Sequence, residues 1–169
     1  MRALAVLALP VLALAALTTS APAHSRDVQR ELEDRVEIED VMARYIWSVD
    51  SLDADAYVSV FTEDAEIDSN GTVHKGHDEI RKVVTGLIQR DADNKAKGLP
   101  PGRLYHIVSN VRISFLGKDE ALYRSYWQTV RHGKDNQIVV GGMGTSEDRL
   151  VRRNGHWLIK SRKLVVFTD

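Results

Sequence analysis

The chain contains no cysteine among its 169 residues. Disulfide bonds, thiolate nucleophiles and cysteine-ligated metals are therefore excluded. A surplus of charge is also absent, because 23 lysines and arginines balance 24 aspartates and glutamates, and no basic run exceeds two residues. We therefore expect no nucleic-acid partner.

Long apolar runs are absent except at the N-terminus. Arg2 precedes an apolar stretch over residues 3–17, and Ala21-Pro22-Ala23 has the small-x-small pattern of a cleavage site. The stretch is too short to span a bilayer comfortably, so we interpret residues 1–23 as a signal peptide that is removed before His24. A buried or membrane-anchoring helix is the alternative. The interpretation predicts an exported protein, periplasmic or secreted, with no membrane association after cleavage.

Residues 24–169 have the composition of one ordinary globular domain. The whole sequence is 43% apolar and 28% charged, and its length is sufficient to bury a core and a pocket. Apolar residues three and four positions apart predict a first helix over residues 28–50. Asp53 is placed to cap a second helix over residues 54–61, and its cap role is favoured over catalysis.

A short strand is predicted over residues 65–68, followed by a turn at residues 69–71 and a third helix from His77 to about Arg90. Residues 91–103 are polar and contain two prolines and two glycines. We interpret this stretch as a mobile loop and a candidate lid over a pocket.

From Leu104 onward the apolar period changes to two, which is typical of strands. Turn-forming sequences divide residues 104–167 into four strand candidates, over residues 104–115, 121–132, 137–152 and 156–167. Short connections favour antiparallel neighbours, and the glycines at 141, 142 and 144 indicate bends. The expected fold is α+β, with three N-terminal helices packed on a strongly curved antiparallel sheet.

Candidate functional residues lie at the end of the first helix and on the first long strand. Tyr45 lies on the apolar face of that helix, and Asp50 lies at its end. His106 and Asn110 share one face of the strand by its period of two. Asp50 is either a solvated corner carboxylate or a base turned into a pocket, and His106 is either a buried structural histidine or a catalytic one.

Metal and cofactor sites have little support in the sequence. His74 and His77 form the only close histidine pair, and there is no HExxH motif. The glycines at 141–144 lie inside a strand rather than before a helix, so they do not form a phosphate loop. We expect neither a metal nor an organic cofactor, which leaves acid–base chemistry by Tyr, Asp and His.

Four sequence features resemble the SnoaL-like branch of the nuclear-transport-factor-2-like superfamily. They are ARYIWSVDSLDADAYVSVFTEDAEID, Gly-x-x-x-Ile at 76–80, His-x-x-x-Asn at 106–110 and the closing EDRLVRRNGHWLIKSRKLV. The resemblance covers residues 33–169 and implies a cone-shaped α+β barrel. That superfamily includes dehydratases, isomerases, cyclases, epoxide hydrolases and binding proteins, so the resemblance specifies fold more closely than function.

Within that branch, Tyr45, Asp50 and His106 are similar to the catalytic set of cofactor-free dehydratases of the bile-acid 7α-dehydratase and scytalone dehydratase type. The resemblance also implies Asn110 and Arg162 as polar groups of the pocket. The aromatic residues Tyr57, Tyr123 and Trp127 complete the predicted substrate-binding set. For Tyr123 and Trp127, residue type alone favours a core role over ligand contact. Ala54 departs from the pattern, since many relatives carry a large residue there.

The function implied is a cofactor-independent lyase that eliminates water from a small hydrophobic hydroxylated substrate, either aromatic or polycyclic. The alternatives are an isomerase that uses the same Tyr, Asp and His, a deformylating carbon–carbon lyase, and a non-catalytic small-molecule carrier. The resemblance also implies a homodimer formed by packing of the open sheet on a second copy.

Overall fold

The computed structural model describes residues 23–133 and 137–168. The predicted signal peptide lies outside the described residues except for Ala23. The elements in chain order are α1 Ala23–Ser51, α2 Ala54–Ser59, β1 Phe61–Ser69, β2 Thr72–Lys75, α3 Gly76–Ala96, β3 Tyr105–Gly117, β4 Glu120–His132, β5 Ile138–Arg153 and β6 His156–Val166. Over these ranges, no helix is both long enough and apolar enough to cross a membrane.

The six strands form one sheet in the order β2-β1-β6-β5-β4-β3. All neighbouring pairs are antiparallel except β1 and β6, which run parallel. The predicted α+β fold with three helices on a curved sheet is confirmed. The sheet is not closed, since β2 and β3 remain its two edges.

The long helix α1 packs its apolar stripe on the sheet. Ile38, Val41, Tyr45 and Val49 are at most 5% exposed, and all belong to the main core cluster. Their spacing of three and four residues places them on one side of the helix, which is the pattern that predicted it. Trp157 on β6 is fully buried in the same core.

The corner after α1 is short and capped. Leu52 has a φ of 62°, in the left-handed region that reverses the chain direction. The Asp53 carboxylate then accepts a hydrogen bond from the Ala56 backbone N–H at 3.0 Å, so its predicted cap role is confirmed.

Two parts of the N-terminal half differ from the sequence prediction. Strand β1 is longer than residues 65–68 and pairs with β2, which was not predicted because it has only four residues. Helix α3 continues to Ala96, so the predicted loop over 91–96 is wrong. Polar residues extend this helix because Gln89 and Asp93 hydrogen-bond one turn apart. Helix-breaking residues begin only at Gly98, where φ is 65°.

The remaining connection between α3 and β3 lies against the end of α3. Asp91 accepts the Gly102 N–H at 2.8 Å, while the Arg90 guanidinium donates to the Gly102 carbonyl at 2.8 Å. Asn94 donates to the Pro100 carbonyl at 3.1 Å. Three side chains of α3 therefore tether the segment that leads into β3.

Glycines permit close backbone contacts in β5. Gly141 is the extra residue of a bulge, since Thr129 pairs with Gly142 while Val130 pairs with Val140. A Cβ at Gly144 would overlap the Val165 carbonyl. These two positions therefore allow the bend that the sequence predicted for this strand.

Candidate active site

The end of α1 and the start of β3 meet through Asp50 and His106. One Asp50 carboxylate oxygen lies 2.6 Å from the His106 Nδ1, and the other accepts the His106 backbone N–H at 2.9 Å. The side chains of His106 and Asp50 are 19% and 15% exposed. An ionised carboxylate only accepts hydrogen bonds, so Nδ1 donates and Nε2 remains available for a ligand.

This arrangement fixes the imidazole in two ways. The hydrogen bond from the His106 backbone N–H to Asp50 ties the start of β3 to the end of α1. The hydrogen bond from His106 Nδ1 to Asp50 selects the tautomer of the ring. A histidine held in this manner can accept a proton at Nε2 while the carboxylate stabilises the resulting imidazolium.

Tyr45 lies in an aromatic cluster beneath a buried arginine. The Arg162 guanidinium lies 4.2 Å from the centre of the Tyr45 ring, and the Tyr57 ring centre lies 5.2 Å from it. Arg162 is 4% exposed and donates to the fully buried Asp148 at 2.8 Å. The Arg162 Nε has no hydrogen-bond partner among the described residues.

Burial governs the ionisation of the groups around Arg162. Loss of hydration raises the pKa of Asp148 to about 6, although the adjacent guanidinium opposes that change. Burial also raises the pKa of Tyr57 well above its usual value, with Tyr45 adding to the effect, and it raises the pKa of Tyr123 to about 12. Tyr57 and Tyr123 therefore remain neutral hydrogen-bond donors at physiological pH.

Two cavities adjoin these residues. The inner cavity has a volume of about 550 Å³ and lies among α1, α2, α3 and the concave face of the sheet. The outer cavity has a volume of about 450 Å³ and lies between α1 and β3. Both volumes fall within the usual range for small-molecule sites.

The structure places most of the predicted site residues at these cavities. Tyr45, Tyr57 and Trp127 line the inner cavity, and Tyr123 lines the outer one. Both cavities are lined by Ile46, His106 and Arg162. Asp50 is not among the lining residues of either cavity, but its carboxylate contacts His106, which lines both.

Asn110 does not join the other predicted site residues. It has a φ of 52° within a bulge of β3, between the pairs Ser109–Tyr126 and Arg112–Arg124. The bulge interrupts the alternation of the strand, so Val111 takes the inward position at the outer cavity. Asn110 instead lines a groove on the opposite face of the sheet. The prediction that His106 and Asn110 share a face is wrong for this reason.

Sequence reasoning did not identify Asp148, Arg103 or Trp47. Asp148 occupies an inward position of β5 between the buried residues Ser146 and Leu150, and a charge in such an alternation is the signal that was available. Its partner could not be predicted, because the register that pairs it with Arg162 is set by the folded sheet.

In the part of the chain that the structure describes, no group of three or more His, Cys, Asp and Glu side chains is arranged to hold a metal ion. The two closely spaced histidines have separate surroundings. His77 Nε2 lies 3.2 Å from the Phe61 carbonyl, while His74 lines the inner cavity.

Comparison with known proteins gives a consistent assignment of fold. The family profile of the SnoaL-like domain matches residues 30–163. A search of curated proteins found no significant match. Among solved structures, a nuclear-transport-factor-2-like protein with a cystatin-like fold from Novosphingobium aromaticivorans superposes with a TM-score of 0.74. It shares 23% identity over 88% of this chain and 92% of that chain.

Two further solved structures have names that state a reaction. A scytalone dehydratase-like protein from Novosphingobium aromaticivorans superposes with a TM-score of 0.67 and 22% identity, over 83% of this chain and 89% of that one. The hexachlorocyclohexane dehydrochlorinase LinA-type3 from Novosphingobium barchaimii superposes with a TM-score of 0.69 and 17% identity, over 83% and 91%. At these identities, the similarity establishes the fold.

Proposed function

The chain belongs to the SnoaL-like domain family, and from that premise we propose that it is a cofactor-independent lyase. Its reaction is the elimination of water from a small hydrophobic hydroxylated substrate, aromatic or polycyclic. The observation that supports the proposal is the pair of hydrogen bonds by which Asp50 holds His106 at the wall of both cavities.

The residues divide the acid–base work of such an elimination. His106 Nε2 removes a proton from the carbon adjacent to an activating group, and Asp50 stabilises the imidazolium that forms. Tyr45 donates its phenol proton to the leaving hydroxyl or hydrogen-bonds to an enolate oxygen. The Arg162 guanidinium supplies positive charge at the same wall, where it stabilises developing negative charge.

The surroundings of the inner cavity fit an apolar substrate. Val49, Ile67, Val83 and Leu87 contribute to its lining, and the aromatic side chains of Tyr57 and Trp127 add flat surfaces. A substrate that fills such a cavity displaces water, which strengthens the electrostatic interactions made by the catalytic groups. The names of two solved neighbours, one a dehydratase type and one a dehydrochlorinase, also favour elimination chemistry.

The test is a mass-spectrometric screen of hydroxylated aromatic and polycyclic compounds with the wild type and with Asp50→Asn and His106→Gln. The wild type should convert a compound to a product that has lost water. Each substitution should lower the turnover number by about 10²–10⁴-fold. The double variant should be little worse than either single one, because the two residues act as a unit.

Matched surface variants control for nonspecific effects. Asp40→Asn lies on the exposed side of the same helix, and His156→Gln replaces a histidine that is 82% exposed. Both should retain wild-type turnover. A product of unchanged mass would indicate an isomerase, and loss of formaldehyde would indicate a carbon–carbon lyase. Equal retention of unaltered compounds by all variants would indicate a carrier and contradict the proposal.

A further inference from the structure

His106 is one of the residues that the two cavities share. Ile46, His106 and Arg162 line both cavities. Each cavity alone is large enough for a small aromatic group. If the reacting carbon of a ligand lies at His106, one apolar group attached to it can occupy the inner cavity and another can occupy the outer cavity.

The outer cavity has an exposed aromatic side chain at its rim. Trp47 on α1 is 76% exposed and lines this cavity, together with Met42, Val108 and Val111. A single exposed apolar residue needs no functional explanation. Trp47, however, adjoins a mainly apolar recess that ends at the catalytic histidine, and the indole offers a flat surface for a planar ligand group.

The polar groups at the shared wall point to the position of the reacting part of the ligand. Arg162 is buried and lines both cavities, so its guanidinium places a positive charge beside His106. Such a charge favours a ligand oxygen or developing negative charge next to it. An oxygen on the middle of an elongated ligand would lie near both Arg162 and His106.

We infer that the substrate spans both cavities, with apolar groups on each side of its reacting carbon and the second group stacked on Trp47. This inference rests on the proposed function for the position of the reacting carbon. The chemical class is an elongated compound with two planar apolar groups that flank a hydroxylated carbon and an activating carbonyl.

Two β-hydroxy ketones form a matched pair of probes. 4-Hydroxy-4-phenylbutan-2-one has one phenyl ring, and 3-hydroxy-1,3-diphenylpropan-1-one has a ring on each side of the reacting carbons. In each, His106 would take the proton from the carbon between the carbonyl and the carbinol. The C–O bond then breaks, the leaving hydroxide takes the Tyr45 proton to form water, and the product is an enone that is observed by its absorbance.

Binding is measured separately from turnover in the His106→Gln protein. Trp47→Ala should weaken binding of the two-ring compound by about 10-fold, the effect of losing one aromatic stacking contact. It should change binding of the one-ring compound less than about twofold. Val36→Ala, which alters another exposed apolar residue of α1 outside either cavity, should affect neither compound.

Two further variants test the inference without replacing Trp47. Ala43 lines the outer cavity only, so Ala43→Trp should exclude the two-ring compound and leave the one-ring compound bound. In the Trp127→Phe protein, the two-ring compound should quench the fluorescence of Trp47, because Trp157 is fully buried in the core.

Failure of the inference and failure of the proposed function give different results. If binding follows the pattern above but the wild type converts neither ketone, the two-cavity site stands and the lyase proposal loses support. If the wild type produces enone but Trp47→Ala and Ala43→Trp affect both compounds equally or not at all, the inference is wrong while the lyase proposal stands. Absence of binding by the two-ring compound would also overturn it.

Discussion

Asp148 is an ionisable residue that lies out of contact with water. It is fully buried, accepts hydrogen bonds from Arg162 and Ser146, and has its pKa raised from 3.8 to about 6 by loss of hydration. A raised pKa means that the folded protein binds this proton more tightly than the unfolded chain does. The resulting contribution to stability is complete below pH 3.8 and is lost as the pH rises through about 6.

The free energy of unfolding should therefore fall between pH 4 and pH 7 through this group, by on the order of 2–3 kcal/mol. Asp148→Asn cannot ionise, so its unfolding free energy should lack this decrease, although its absolute stability is lower because Arg162 loses a charged partner. Urea unfolding at several pH values measures the difference between the two proteins. Asp55→Asn, at a side chain that is 88% exposed, should follow the wild type. Parallel curves for wild type and Asp148→Asn would contradict the assignment.

At the scale of elements, the segment before β3 stabilises the C-terminus of α1. That helix has no basic residue in its own last turn. Arg103 belongs to the segment before β3, and its guanidinium donates to the carbonyl oxygens of Asp50 and Ser51 at 3.4 Å each. A cation at a helix C-terminus is favourable because the unpaired carbonyls there carry partial negative charge. Arg103 is thus a positioning residue for Asp50.

Removal of that cation should loosen the Asp50–His106 geometry without removing either group. We expect Arg103→Ala to lower kcat by about 10-fold with little change in KM, since small displacements of a base are costly to the chemical step. Arg103→Lys should restore most of kcat, because it keeps the charge at the helix end.

Arg44→Ala serves as the control, since it removes an exposed arginine of α1 that pairs with Asp40. A change confined to thermal stability, with kcat intact and no difference between alanine and lysine at 103, would show that Arg103 is merely structural.

The elements that the sequence predicted are those with a strong local period. The apolar stripe of α1 and the alternation of β3 to β6 arise from burial of one face, so they can be identified before the fold is known. The β3 bulge at Asn110 and the pairing of β1 with β2 depend on neighbouring strands, and no local period indicates either.

Site residues show the same division between local and long-range information. Asp50 could be selected as a candidate because it ends an amphipathic helix, and His106 because it lies in a strand beside apolar residues. Their contact joins positions 56 residues apart, and only the packing of α1 across the sheet brings them together. The two-cavity arrangement was not predictable, because Trp47 is an ordinary exposed residue until β3 is placed beside it.

For the whole molecule, the convex face of the sheet presents several exposed apolar side chains. On β3 to β5, Tyr105, Ile107, Tyr126 and Met143 are 41–49% exposed, and Val165 and Phe167 at the end of the chain are 44% and 51% exposed. The rings of Tyr126 and Phe167 contact each other edge to face at 6.3 Å between centres. A contiguous apolar patch of this kind typically marks an interaction surface.

We propose that this face packs on a second copy of the chain. The face also presents the Arg124–Glu147 ion pair and Lys163, and a twofold axis lets charges of both signs on one copy meet their opposites on the other. Met143 lies near the centre of the patch, on the central strand β5. Met143→Glu would place two like charges close together across the axis, which costs several kcal/mol.

Sedimentation velocity should therefore show a dimer for the wild type and a monomer for Met143→Glu at the same concentration, with a dissociation constant raised at least about 100-fold. Leu116→Glu is the matched control, because Leu116 is 59% exposed beside the β3–β4 turn, away from the centre of the face. It should remain dimeric. A monomeric wild type, or a dimer that persists in Met143→Glu, would contradict this interface.

Since β4 and β5 also supply Trp127 and Gly142 to the inner cavity, loss of the dimer should reduce ligand affinity through a less rigid cavity wall, while Asp50 and His106 keep their hydrogen bonds.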